Sequence, residues 1–225
     1  MTFERSVRLL IFDWDGTLMD SAAKISNCWM ASAMDHKVPK PTDRAVRQLI
    51  GVSLERMAFE LFPECNAIQR QQLTDRYVEH WIQHDKTEMP FFSNVADGLR
   101  ALERAGFLIC VATGKSRRGL ERALQDCSFA KVFAYTRCAD ESRPKPDPQM
   151  LFDVLEFCGS EACESVMIGD TTYDLEMAHH AGVYAHGVGY GYHSDQQLAP
   201  LSDFPVFHDF KSLSQFWLDK SAALR

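Results

Sequence analysis

The sequence predicts an α/β protein: a doubly wound, mostly parallel sheet with helices on both faces, plus an all-α segment inserted early in the chain. Three observations carry this. The apolar run Leu9-Leu10-Ile11-Phe12 is followed at once by Asp13-Trp14-Asp15-Gly16, the pattern of a buried strand ending in a polar loop. From about residue 90, apolar runs alternate with amphipathic stretches, as strand–helix–strand crossovers do. Between them, residues 20–86 show helical periodicity and turn breakers but no convincing strand. The expected boundaries are residues 1–19 with 87–225 for the α/β core domain and 20–86 for a helical domain.

Taken in order, Ser21 is expected to cap a helix carrying Ile25, Cys28 and Trp29, which Pro39 and Pro41 break. Thr42 caps a short helix with Val46, Leu49 and Ile50, stopped at Gly51. Ser53 opens another with Leu54, Met57, Phe59 and Leu61, ended by Pro63. A long helix follows over about 67–84, with Tyr77, Val78, Trp81 and Ile82 at helical spacing. Ser93 or Asn94 starts a helix bearing Val95, Leu99 and Leu102 that Gly106 closes. Residues 107–112, 131–135, 165–168 and 183–186 read as strands; 116–126, 148–157 and 174–181 read as helices.

The 225 residues are enough for one sizeable core, or a core with a small insert. Apolar residues at 46% and charged residues at 24% are ordinary for a globular domain and exclude a disordered chain. With 24 Lys+Arg against 31 Asp+Glu, the net charge is −7. No nucleic-acid partner is expected from that balance, because gripping a phosphate backbone needs a basic surface. No apolar run approaches the roughly 20 residues of a membrane span, so no membrane partner is expected either. The start, MTFERSVRLLIFDWDG, sets acidic residues on both sides of a short apolar run, which does not suit a signal peptide. The seven cysteines are therefore expected to be reduced thiols in a cytoplasmic protein. The sequence leaves the oligomeric state open.

Ligands of open parallel sheets bind beyond the carboxyl ends of the strands. The polar residues there are Asp13, Asp15, Gly16 and Thr17; then Thr113, Gly114 and Lys115; then Gly169, Asp170 and Asp174. Lys145 sits in the stiff loop Arg143-Pro144-Lys145-Pro146-Asp147-Pro148. Carboxylates gathered in one pocket repel unless one holds a proton or a cation neutralises them. Hard oxygen ligands suit Mg²⁺, which takes one or two carboxylates, waters and a substrate phosphate. A lysine and a hydroxyl opposite suit the remaining phosphate oxygens. The set fits phosphoryl transfer, with a carboxylate available as nucleophile.

Four segments carry a resemblance that covers essentially the whole chain: Asp13-Trp14-Asp15-Gly16-Thr17-Leu18, Val111-Ala112-Thr113-Gly114, Lys145 in its proline loop, and Gly169-Asp170-Thr171-Thr172-Tyr173-Asp174. In that order and context the chain resembles the haloacid dehalogenase superfamily, in the branch that includes phosphoglycolate phosphatase. The resemblance implies a Rossmann-like core with a helical cap over the site. It implies a Mg²⁺-dependent phosphatase that hydrolyses a small phosphorylated metabolite, phosphoglycolate-like or a sugar phosphate, through an aspartyl-phosphate. It implies Asp13 as nucleophile and Mg²⁺ ligand. Asp15 would be the general acid and then base, its backbone carbonyl on the metal. Thr113 and the Gly114 N–H would bind phosphate, and Lys145 would neutralise Asp13 and the phosphate. Asp170 would ligate Mg²⁺; Asp174 would hold a metal water or orient the lysine.

Other readings stand beside this one. Taken alone, an Asp after a strand also serves as a helix cap. A phosphomutase would use the same residues, and a regulatory protein on the same scaffold would have lost at least one of Asp13, Asp15, Lys145 or Asp170. A dehalogenase needs no second acid, so Asp15 argues against one; no lysine of 20–86 stands in a pattern for phosphonate cleavage. The stretch 47–53 is the candidate cap loop meeting substrate, with Arg47 either binding a carboxylate or second phosphate or standing solvated on its helix. Arg117-Arg118 has the same two readings. Gly114-Lys115-Ser116 lacks the earlier glycine of a nucleotide phosphate loop, and Gly187-Val188-Gly189-Tyr190-Gly191 reads as a flexible loop at the site rim rather than a dinucleotide fingerprint. His179-His180 reads as a helix surface, Cys158 and Cys163 as no zinc pair, and Trp29, Phe59 and Trp81 as packing within the helical segment.

Overall fold

In the computed structural model, which describes residues 7–125 and 127–222, five parallel strands form one sheet. They are β1 (Leu9–Phe12), β2 (Leu108–Thr113), β3 (Tyr135–Cys138), β4 (Ser165–Gly169) and β5 (Tyr184–Gly187), in the spatial order β3-β2-β1-β4-β5. The helices, in chain order, are α1 (Ala22–Asp35), α2 (Asp43–Arg47), α3 (Leu54–Leu61), α4 (Ala67–Glu79), α5 (Val95–Arg104), α6 (Arg117–Gln125), α7 (Gln149–Cys158), α8 (Thr172–Ala181), α9 (Asp195–Leu198) and α10 (Phe210–Ala222). The sheet grows outward in both directions from β1. The chain thus reverses its winding beside β1, which is where an open parallel sheet leaves a crevice at its carboxyl edge.

Burial explains the apolar run of β1, all four of whose residues are inaccessible. Side chains of a strand alternate between faces. Leu10 and Phe12 join one apolar layer with Leu99 and Leu102 of α5 and Leu213 and Trp217 of α10. Leu9 and Ile11 join the other, with Leu151 and Val154 of α7 and Leu175 and Ala178 of α8. Helices α1 to α4 share a third cluster of their own, which includes Ile25, Trp29, Ile50, Met57, Leu73 and Tyr77.

Several expected elements shift. Thr42 and Ser53 accept the capping N–H bonds of Ala45 and Arg56. Ser21 occupies the cap position of α1 but makes no capping bond; its hydroxyl donates to Asp15 instead. Asn94 begins α5 with φ +67° and likewise makes no capping bond. The helix expected over 67–84 narrows to α4, and residues 80–84 widen into a π-helical turn. The strand expected at 131–135 is displaced: Ala130–Val132 form a 3₁₀ turn, and β3 begins only at Tyr135. Phe129 and Val132 are drawn into the core there, and Phe129 packs edge-on against Phe91. The expected end of the next helix, Asp126, lies outside the described residues. Phe59 is 53% exposed instead of packed.

The chain beyond β5 wraps His186 in aromatic rings from Phe204, Phe207, Phe216 and Trp217. Its Nε2 donates to the Pro205 carbonyl and its Nδ1 accepts from the Trp217 indole N–H, a pairing only the neutral ring makes. Burial pushes its pKa down from 6.5 to about 4. The ring's contribution to stability is thus fully present above its ordinary pKa and is lost as pH falls toward 4. All seven cysteines are free, and burial raises the thiols of Cys28 and Cys138 to about 12. Among the described residues no helix is long and apolar enough to cross a membrane.

Candidate active site

Strand register brings three of the four motifs to one edge. Phe12 pairs with Val111 of β2 and with Ile168 of β4, so the residues that follow each strand emerge side by side. The Asp13 N–H donates to the Ile168 carbonyl at 2.9 Å, which holds Asp13 against the start of the Gly169-Asp170 loop. Asp13, Thr113, Lys145, Asp170 and Asp174 are all buried.

Lys145 ties the proline loop to this edge. Its ammonium donates to Asp13 Oδ1 at 2.6 Å and to Asp174 Oδ1 at 2.5 Å, with no side-chain exposure. Burial works against the charge on Lys145, but Asp13 and Asp174 outweigh it and hold its pKa above the ordinary lysine value. Asp13 is pushed upward: desolvation outweighs the opposing pull of Lys145, and the negative charge of Asp174 adds to it. Asp170 is raised well above the usual carboxylate range, first by burial and then by Asp13 and Asp174.

Asp170 is held from two sides. Thr17 Oγ1 donates to its Oδ1 and the Tyr192 N–H to its Oδ2, each at 2.9 Å. The second bond needs the chain at Gly191 to pass so close that an added Cβ would stand 2.2 Å from Asp170 Cβ. The glycine-rich segment is therefore packed against the site, with Tyr190 donating to the Thr17 carbonyl and Tyr192 accepting from the Ser21 N–H. That corrects the expectation of a flexible rim.

Asp15 faces a different way. It accepts a short hydrogen bond from Ser21 Oγ and an ammonium bond from Lys115 Nζ at 2.8 Å. Lys115 Nζ also stands 4.8 Å from the Trp81 ring centroid, so one cation links the β2 loop to the helical segment. Thr113 Oγ1 accepts from the Lys115 N–H. At Gly114 an added Cβ would lie 2.6 Å from the Gly51 carbonyl, a close approach of the 47–53 loop that glycine alone permits.

A divalent cation fits these residues. Asp13 Oδ2 is buried and has no hydrogen-bond partner among the described residues, an unmet demand for positive charge. One oxygen each from Asp13, Asp170 and Asp174 lies within 4.8 Å of the others. Asp174 has both oxygens committed, Oδ1 to Lys145 and Oδ2 to the hydroxyl and N–H of Thr171. Asp170 oxygens each hold one neutral donor and keep capacity for an ion. The carboxylate of Asp15 stands outside this group.

Arg47 is not brought in. It pairs with Asp43, four residues earlier, at 2.7 Å on an exposed face of α2, and it does not line the cleft above Asp13. Its neighbours Ile50 and Gly51 do. Arg117 and Arg118 part company: Arg117 binds Glu141 and Thr136, whereas Arg118 lines the cleft. His180 contacts the Pro146 carbonyl. Trp29 is wholly buried as expected, while half-buried Trp81 lines the cleft. Thr17, Ser21, Lys115 and Tyr192 are site residues to which sequence reasoning gave no role. Only Thr17 and Lys115 carried a signal, Thr17 within the first motif and Lys115 directly after the second.

The family model of the haloacid dehalogenase-like hydrolases matches residues 10–188. The phosphoglycolate phosphatase of Psychrobacter arcticus is 27% identical, over 94% of this chain and 96% of its own. The N-acetylmuramic acid 6-phosphate phosphatase of Pseudomonas aeruginosa is 29% identical, over 83% of each. Among solved structures, a hydrolase from Pseudomonas syringae superposes with a TM-score of 0.83 at 22% identity, covering 96% of this chain and 99% of its own. The two curated relatives cover most of both chains; the last comparison bears on the fold.

Proposed function

Because the chain belongs to the haloacid dehalogenase-like hydrolase family, as a phosphoric monoester hydrolase similar to the phosphoglycolate phosphatases, we propose that it is a Mg²⁺-dependent, cytoplasmic phosphatase acting on a small phosphorylated metabolite through an aspartyl-phosphate. The observation that carries the reading is the bare, buried Oδ2 of Asp13, with Lys145 on its other oxygen and Asp170 in the same acidic group. Asp13 and Asp170 would hold the ion, with the Asp15 carbonyl. The ion supplies positive charge that keeps these carboxylates ionised and screens the phosphate.

The chain's own residues do the rest. Asp13 attacks phosphorus in line, and the ester oxygen leaves as the Asp13–phosphate bond forms. Asp15, reached from the cleft beside Lys115 and Ser21, gives that oxygen a proton. It then takes one from the water that attacks the same phosphorus and frees Asp13. Lys145 and the Thr113 hydroxyl bear on the phosphate oxygens, and Asp174 positions Lys145. Residues 20–86 act as the cap: Gly51 and Trp81 close over the cleft and exclude water.

The reading is tested with the purified protein on 4-nitrophenyl phosphate and on phosphoglycolate, with Mg²⁺ and with excess chelator. Hydrolysis is expected with Mg²⁺, lost on chelation and restored by added Mg²⁺. No hydrolysis with the ion, or full activity under chelation, contradicts it.

A further inference from the structure

The cleft leading to Asp13 and Asp15 has two unlike walls. The cap wall presents Leu54, Met57, Val78, Trp81 and Ile82. Of these, Leu54, Val78 and Trp81 are partly exposed and Ile82 is 38% exposed, so apolar surface stays open toward the cleft. Tyr77 and Trp81 apart, no cap side chain lining the cleft is polar. A substrate with many hydroxyls would lose its water there and find few replacement partners, which is unfavourable. A body with an apolar face would gain from the same burial.

The opposite wall is α6, with Arg118 and Arg122. They are four residues apart and so share one helix face. Arg117, on another face, is consumed by Glu141. Among the described residues neither Arg118 nor Arg122 has an acidic partner, and Lys115 at the helix entrance is already engaged by Asp15. Arg118 stands in the first turn of α6 and Arg122 in the next, so the helix carries them successively away from the Thr113 end of β2. Cations lining a cleft without acids of their own draw an anion, and guanidinium suits carboxylate or phosphate.

We propose that this cleft selects a phosphomonoester with an apolar body and a second anionic group at its far end, the body lying on Trp81 and its neighbours and the anion on Arg118 and Arg122. The proposal rests on the phosphatase reading and narrows its substrate. A body as short and polar as glycolate would leave both the apolar wall and the arginines unused.

The test compares four primary-alkyl phosphates, whose leaving groups are alike: phosphoglycolate, 2-hydroxyethyl phosphate, 2-phenylethyl phosphate and 2-(4-carboxyphenyl)ethyl phosphate. With Mg²⁺, kcat/KM for 2-phenylethyl phosphate is expected to exceed that for 2-hydroxyethyl phosphate and phosphoglycolate by about tenfold or more, the scale of burying a few methylene groups. The carboxylate is expected to add about tenfold again, as a charge-assisted hydrogen bond does. In the Arg118→Ala/Arg122→Ala variant, two surface changes that leave the core packing intact, that second gain should shrink to within about threefold. Polar substrates turned over as well as the aromatic ones would overturn the apolar assignment. A carboxylate gain that is absent, or that survives in the variant, would overturn the anion assignment. Failure to hydrolyse any of the four, and 4-nitrophenyl phosphate as well, would instead refute the phosphatase reading itself.

Discussion

Asp13→Asn is expected to lower kcat by on the order of 10⁵-fold or more, the scale seen when a covalent nucleophile is removed. The amide fills the same volume beside Lys145 but cannot form the acyl-phosphate bond, and it offers the ion a weaker oxygen. The fold should survive. Asp13 is a buried carboxylate whose pKa is raised, chiefly by desolvation, so its ionised form is disfavoured in the folded state. Replacing it with a neutral isostere removes that cost and leaves Lys145 its second partner, Asp174. Circular dichroism should report an unchanged spectrum and a denaturation midpoint close to the parent's. Activity within tenfold of the parent, in a preparation shown by mass to be free of deamidated protein, would remove Asp13 from the nucleophile role.

Lys145→Met should damage both stability and rate, and the two losses should separate. Removing the ammonium leaves Asp13 and Asp174 as unbalanced carboxylates in a site without solvent, a defect of about 3–5 kcal/mol for a broken buried pair. The rate should fall by about 10²–10³-fold, as when one preorganised donor to a reacting oxyanion is lost. Adding Asp174→Asn removes one of the stranded charges. Stability should recover in part, while turnover should not, because the Lys145 ammonium is still missing from the phosphate. With the parent and the Asp174→Asn single variant, the two variants close a double-mutant cycle, measured by urea denaturation and by steady-state hydrolysis. Parallel recovery of rate and stability would show Lys145 to be a structural counter-ion alone.

What could be read from the sequence followed from the sheet. Once a buried strand is recognised at 9–12, everything just past its end is placed at the ligand edge, and the same holds for the segments ending at Thr113 and Gly169. Asp13, Asp170 and Asp174 meet because register leaves them no alternative, and Lys145 joins them from its loop. Arg47 was not readable from motif position, although its partner was: Asp43, four residues earlier, offers the nearer charge on the same helix face. Ser21 looked like a cap because Ser before a helix usually is one. Only the fold shows that its hydroxyl is turned to Asp15. The roles of Lys115 and Trp81 depend on how the helical segment lies over the β2 loop, which periodicity does not encode. Strand β3 was misplaced by three or four residues because Phe129 and Val132, apolar enough for a strand, are buried in a turn. The C-terminal aromatics were silent for a similar reason: their common partner is one histidine on β5, distant in sequence.

The most direct measurement is capture of the phosphate on Asp13. In Asp15→Asn, the acid is not needed to expel 4-nitrophenolate, but the base that frees Asp13 is missing, so the phosphorylated form should accumulate. Rapid mixing of this variant with Mg²⁺ and 4-nitrophenyl phosphate should give a burst of about one nitrophenolate per protein, the fingerprint of a covalent intermediate. Acid quenching and peptide mass analysis should then place the phosphate on the peptide holding Asp13. Turnover by the parent protein with no burst and no label in the variant, or a label on any other residue, would contradict the account.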